Sequence, residues 1–179
     1  MRLHGFVLAV AWLAACGPPD RMETAGPPLL TLDADQVIVG MDHFMTREGL
    51  RRAHLLADTA YFLSDSPLIR LRPVDVTFFD ADGQEISRLT AAEGRYDTRS
   101  NDMQASGHVV VVDRRQNRRL ETERLNYVAA EDRLRSDVAF TFYTGKQILR
   151  GRGFVSDPNL DTVRVVQPSG VADTVLSPR

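Results

Sequence analysis

The sequence of 179 residues predicts an all-β fold. Three observations carry that expectation. From residue 29 onward no apolar pattern recurs at the helical period, whereas apolar–polar alternation is frequent. Turn signals separate the alternating runs. The chain also resembles itself: Tyr61, Tyr96 and Tyr127 each precede, by seven residues, an apolar residue (Leu68, Met103, Leu134) that opens a second alternating run. Each unit is then two strands and their turns.

At the N-terminus, Arg2 is followed by the apolar stretch "GFVLAVAWLAA" (5–15), too short to span a bilayer as a folded helix. It ends in small residues, so residues 1–15 are expected to be an export signal. Leu13-Ala14-Ala15-Cys16 has the form of a bacterial lipobox, which makes Cys16, the single cysteine, the expected lipidation site. No partner cysteine exists for an intramolecular disulfide, so stability must come from the core. "GPPDRMETAGPP" (17–28) has no apolar period, and residues 16–30 are read as the lipidated cysteine plus a Pro/Gly-rich tether. Residues 31–172 form the expected β-domain and 173–179 a C-terminal tail.

Within the β-domain, "DADGQ" (80–84) carries an Asp-Gly step between strand-like runs, a hairpin signal. "RRQNRR" (114–119) is read as another hairpin loop. In "LRSDVAFTFY" (134–143) Leu134, Ser136, Val138, Phe140 and Phe142 share one face. Superposing the repeats aligns Val74, Val109 and Phe140 in one column and Val76, Val111 and Phe142 in the next. Stacked side by side, these columns form a continuous apolar wall. That wall is either the filled core of a sandwich or the lining of a partly open trough. A long antiparallel sheet also has edges on which another strand can dock.

Composition and motifs exclude much else. At 43% hydrophobic and 26% charged, the chain is globular material. Its formal charge of −2 gives no reason to expect nucleic acid as a partner. The four histidines lack metal-ligand spacing and have no second cysteine to help them, so no metal site is expected. There is no G-x-S-x-G elbow, phosphate loop or dinucleotide fingerprint. Ser106 and His108 share a strand face, but nothing orients them as a nucleophile and base. Asp58, Glu93 and Glu123 recur near the start of each unit and read as solubility residues. Neither an enzyme nor a cofactor is expected.

A family resemblance sharpens this. "GLRRAHLLADTAYF" (49–62), "VDVTFFDADGQEISRLTAAEGRYD" (74–97), "DMQASGHVVVV" (102–112), "RLETERLNY" (119–127), "LRSDVAF" (134–140) and "GRGFVSDP" (151–158) resemble, in that order, the LptC family. The specific part is the succession A-x-x-G-x-Y, A-x-G-x-V-V-V, L-x-T-x-x-L-x-Y, S-D and G-x-G-F. LptC is a component of lipopolysaccharide export, and LptA and OstA-like domains share the repeat. The resemblance implies an open, twisted antiparallel β-jellyroll whose trough holds acyl chains of lipopolysaccharide. It implies receipt of the lipid from an inner-membrane ATP-binding-cassette transporter and relay to an LptA-like bridge protein by edge-strand pairing. The candidate trough lining is Val74, Val76, Phe78, Val109, Val111, Val138, Phe140 and Phe142. The candidate docking edge is Gly151, Gly153 and Phe154. LptC proteins usually begin with a transmembrane helix, for which a lipobox is substituted in this chain. The expected location is the periplasmic side of a membrane, lipid-anchored, the inner membrane in preference to the outer. The competing reading is a periplasmic scaffold lipoprotein that joins β-domains edge to edge without lipid transfer.

Overall fold

The computed structural model describes residues 34–173. The expected signal, Cys16, the tether and the tail beyond residue 173 lie outside the described residues. Ten strands run in chain order: β1 (Gln36–Arg47), β2 (Leu50–Phe62), β3 (Leu68–Phe79), β4 (Glu85–Ala91), β5 (Glu93–Asp97), β6 (Met103–Asp113), β7 (Arg118–Val128), β8 (Arg133–Thr144), β9 (Gln147–Ser156) and β10 (Val163–Asp173). They form one antiparallel sheet in the order β1-β2-β3-β4-β6-β7-β8-β9-β10, with β5 pairing β3 and β6 beside β4. The all-β expectation therefore holds, and the connectivity is a meander of hairpins.

Turn chemistry accounts for the connections. In the β3–β4 turn, Asp80 Oδ1 accepts the backbone N–H groups of Asp82 and Gln84 at 3.0 and 2.8 Å, and Gly83 supplies φ +77°. "RRQN" turns between β6 and β7, as expected. Its basic charge is largely met within the fold, by Arg115 beside Asp80, Arg118 on Asp161 and Arg119 on Glu121.

The long strands do not run straight. A line of irregularity crosses the whole sheet through Gly40, Asp58, Pro73, Ala92, Gly107–His108, Glu123, Asp137–Val138 and Gly153. Gly40, Gly107 and Gly153 lie at φ +73°, +75° and +73°, a conformation glycine reaches without steric cost. At Gly107–His108 two residues of β6 oppose one of β7, a β-bulge. The ladder bonds lost along this line are replaced: Ala92 N–H donates to Gly107 O at 2.9 Å, Thr122 Oγ1 to Ala139 O at 2.8 Å and Ser136 Oγ to Arg124 O at 2.7 Å. Each of these bonds meets a carbonyl that burial would otherwise penalise.

The line is a crease. Residues 41–57, 74–91, 109–122 and 140–151 make one leaf of the folded sheet; 59–71, 94–106, 125–136 and 154–165 make the other. Inward residues alternate along each leaf, but at the crease the interval becomes three: Ala57 to Ala60, Leu71 to Val74, Ala91 to Gly94, Thr122 to Leu125. In β6 and β8 the bulge makes it four, from Ala105 to Val109 and from Ser136 to Phe140. Both leaves thereby turn their apolar faces to one shared core. Phe78 of the first leaf meets Tyr127 of the second edge to face at 5.1 Å, and Phe140 meets Phe154 at 5.0 Å.

Gly151 is where a side chain cannot be added. A Cβ there would lie 2.8 Å from Gln167 O, 2.8 Å from Val165 Cγ1 and 3.0 Å from Phe140 Cε1. Gly151→Ala should cost about 1–3 kcal/mol in urea unfolding, as overpacking does. Gly170→Ala, with nothing within 4 Å of its Cβ, should change stability by less than about 0.5 kcal/mol.

Candidate functional site

The two columns aligned by the sequence repeat become two cross-strand rows. Val74 pairs with Ala91, Val109 with Thr122, Thr122 with Phe140 and Phe140 with Gly151, so Val74, Val109 and Phe140 share one row. Val76–Leu89–Val111–Leu120–Phe142–Leu149 is the next. The tyrosine column is only partly reproduced. Tyr96 pairs with Met103, Met103 with Tyr127 and Tyr127 with Leu134. Tyr61, however, pairs with Arg70, one register off, so Phe62 rather than Tyr61 continues the inward row.

Seven of the eight candidate lining residues are buried between the leaves: Val74, Val76, Phe78, Val109, Val111, Phe140 and Phe142, none more than 7% exposed. Val138 differs. It falls in the crease at the β8 bulge, half-buried, its N–H donating to Ser136 Oγ at 3.3 Å. Alternation along "LRSDVAFTFY" placed it inward; the extra bulge residue takes it out of the rows.

The candidate docking edge needs a correction. Gly151, Gly153 and Phe154 are in β9, which is hydrogen-bonded to β8 on one side and β10 on the other, and all three are buried. The outer strand at this end is β10, where Val166 is 67% exposed; at the opposite end it is β1, where Val39 is 81% exposed beside Val37 and Ile38. The three repeats in the sequence do not reach β10, so they gave no sign that it covers β9.

The mouth opposite the crease is where the two leaf rims face each other. At one side the β9–β10 loop reaches across: Ser87 Oγ donates to Pro158 O, Arg118 pairs with Asp161, and Leu160 is buried in the core. Toward β1, a cleft of about 630 Å³ runs between Met41 and His43 on one wall and Phe62, Ile69 and Tyr96 on the other. A second cleft of about 370 Å³, sharing Asn101 with the first, lies among Met45, Arg47, Arg52, Tyr127 and Ala129. A polar relay spans the first: His43 Nε2 is 2.9 Å from Tyr96 Oη, which donates to Asn101 Oδ1 at 2.6 Å. Composition alone gave no sign of these groups, because β1 meets β5 only once the sheet is folded.

Ser106, noted beside His108, precedes the bulge and His108 lies in it; His108 is exposed and its backbone N–H lies 3.4 Å from Glu123 Oε2. Asp58, Glu93 and Glu123 all sit exposed on or next to the crease line, with Glu93 paired to Arg72 at 2.8 Å.

Burial holds two interior phenols protonated. Tyr127 is pushed well above the ordinary tyrosine value by burial and then by the Asp132 carboxylate, to which it donates at 3.1 Å; Tyr96 is raised by burial and then Asp97.

Compared with known proteins, residues 7–167 match the model of a family described as "Lipopolysaccharide-assembly, LptC-related". No curated protein matches the chain.

The raised phenols predict an alkaline limit. Below pH 10.0, the ordinary tyrosine value, the folded and unfolded chains both keep the proton and the stabilisation is complete. As pH rises past it the unfolded chain ionises first, so stability falls. Urea midpoints measured from about pH 8 to about pH 11 should show this decline, and Tyr127→Phe should flatten it.

Proposed function

The chain belongs to the LptC-related family of lipopolysaccharide assembly, and from that premise we propose that its folded sheet takes up lipid acyl chains between the two leaves and relays them onward. The observation that carries this reading is the pair of apolar rows, Val74–Val109–Phe140 and Val76–Val111–Phe142, facing a second apolar leaf. An acyl chain of a dozen methylenes gains on the order of 10 kcal/mol on leaving water for such a surface. The domain is a conduit rather than a catalyst, so direction has to come from a partner. An inner-membrane ATP-binding-cassette transporter would feed it, and an LptA-like protein would receive the lipid by pairing with an outer strand. For that docking β10 replaces the β9 residues as the candidate edge. Cys16, lipidated, would hold the domain at the periplasmic face of a membrane in place of a transmembrane helix.

The packing also supports a second reading. The seven buried lining candidates form a closed core, as a scaffold that joins β-domains edge to edge would need. Photo-crosslinking separates the two. Crosslinkers at Val76, Val111 and Phe142 should form adducts with lipopolysaccharide, while Thr77, Val112 and Tyr143, one residue along and outward, should not. Protein adducts through β1 or β10 with no lipid adduct at the three inward positions would favour the scaffold. Anchoring is tested independently: Cys16→Ala should move the protein from the membrane to the soluble fraction while its unfolding midpoint stays unchanged.

A further inference from the structure

At the β1–β2 hairpin the ladder slips by one residue: Met45 pairs with Ala53, but Thr46 pairs with Arg51. Arg52 is the residue left over. A bulge re-aims the side chain it carries, and that of Arg52 lines the smaller cleft, most of it shielded from solvent. Arg47 lines the same cleft, its Nη1 donating to Ala129 O at 2.9 Å. Both guanidiniums reach one carboxylate. Asp132 Oδ2 pairs with Arg52 and lies 3.8 Å from Arg47 Nη2, while Oδ1 accepts the Tyr127 hydroxyl.

The balance is uneven. Two cations share one anion whose two oxygens are already engaged, and Arg52 Nε is buried with no hydrogen-bond partner. An unmet buried donor on a cation is costly. The missing component is an acceptor with negative charge. A carboxylate is planar, whereas a phosphate presents oxygens in several directions and suits two forks that do not share a plane. Asn101 also lines the larger cleft, which is walled by Met41, Phe62 and Ile69. Apolar surface therefore begins where the cationic pair ends.

We propose that Arg47 and Arg52 form a phosphate-headgroup site at the mouth of the folded sheet, holding a phosphate ester whose apolar chain runs along β1 into the interior. The site rests on the reading of the interior as a lipid-binding space. Asp132 acts as the internal counter-ion that a phosphate partly displaces.

The test is calorimetric titration of the full-length protein in neutral detergent with three probes: dioctanoyl phosphatidic acid, dioctanoylglycerol and inorganic phosphate. The phosphorylated lipid should bind about ten-fold more tightly than the neutral one, the order expected for added charge-assisted hydrogen bonds. Arg52→Gln should abolish that preference while leaving neutral-lipid binding intact. Asp132→Asn frees both guanidiniums and should raise affinity for the phosphorylated lipid; asparagine also tolerates the φ of +54° at this position. Equal binding of the two lipids, or a preference that survives Arg52→Gln, overturns the headgroup site and leaves the interior reading standing. Failure of both lipids to bind overturns the two together. Arg52-dependent binding of inorganic phosphate as tight as that of phosphatidic acid overturns the lipid assignment and makes this a free-anion site.

Discussion

A strand that serves one interior from both sides of a crease interrupts its alternation there and still has to keep its apolar residues inward. Alternation has a period of two, so where the irregularity at the crease rotates a strand by one residue, its apolar positions must shift by one as well or they would face solvent on the second leaf. β2, β3 and β7 shift by one, with an interval of three at the same level. β6 and β8 instead carry a bulge and an interval of four, which keeps their parity and leaves the bulge residues out of the rows. Packing between the leaves, the approach of the two rims and the placing of β1 across the mouth all depend on that shared line. The cost is a row of interrupted ladder bonds, and hydroxyls of Thr122 and Ser136 offset it by meeting the stranded carbonyls.

The same constraint explains which parts of the fold were legible in the sequence. Ala91-x-x-Gly94, Ala105-x-Gly107, Thr122-x-x-Leu125, Ser136-Asp137 and Gly151-x-Gly153-Phe154, the pieces that carry the family resemblance, are the crease crossings themselves. What reads as motif is the spacing each strand needs to keep its inward face. The repeat alignment recovered Val74/Val109/Phe140 and Val76/Val111/Phe142 because all six lie on one leaf, where alternation is undisturbed. It misplaced Val138, which falls in the β8 bulge, and Tyr61, which lies beyond the three-residue interval in β2. Gly151, Gly153 and Phe154 were taken for an edge since a sequence records which strand comes last only when that strand is recognised. β10, with Pro168 and the slip between Pro168 and Gly170, gives a weak alternating signal.

The mouth was not legible at all. Arg52, in "GLRRAHLL", looks like one of many arginines, and nothing local distinguishes it from Arg51. Only the pairing with β1 shows that Arg52 is the extra residue, and only folding at the crease brings it to Asp132, eighty positions away. Arg51 stays outside, its guanidinium over the Phe44 ring at 5.2 Å. Adjacent strand residues face opposite ways in any case, and the slip between Arg51 and Ala53 decides that Arg52 is the one that turns to the cleft.

Opening the mouth need not disturb the crease. Among the described residues, the contacts that bridge the rims include the ion pairs of Arg47 and Arg52 with Asp132 and of Arg118 with Asp161, together with the buried Ser87–Pro158 hydrogen bond and buried Leu160. Solvent-exposed pairs are worth about 0–1 kcal/mol each. The apolar gain proposed for an incoming chain, about 0.8 kcal/mol per methylene, exceeds that within a few carbons. The two sides of the rim therefore differ: the β9–β10 loop closes one with buried contacts, while toward β1 the bridging groups are ion pairs beside the two clefts. Under the proposed function, the β1 side, where apolar surface meets charge, is the side an amphiphile with an anionic head would approach.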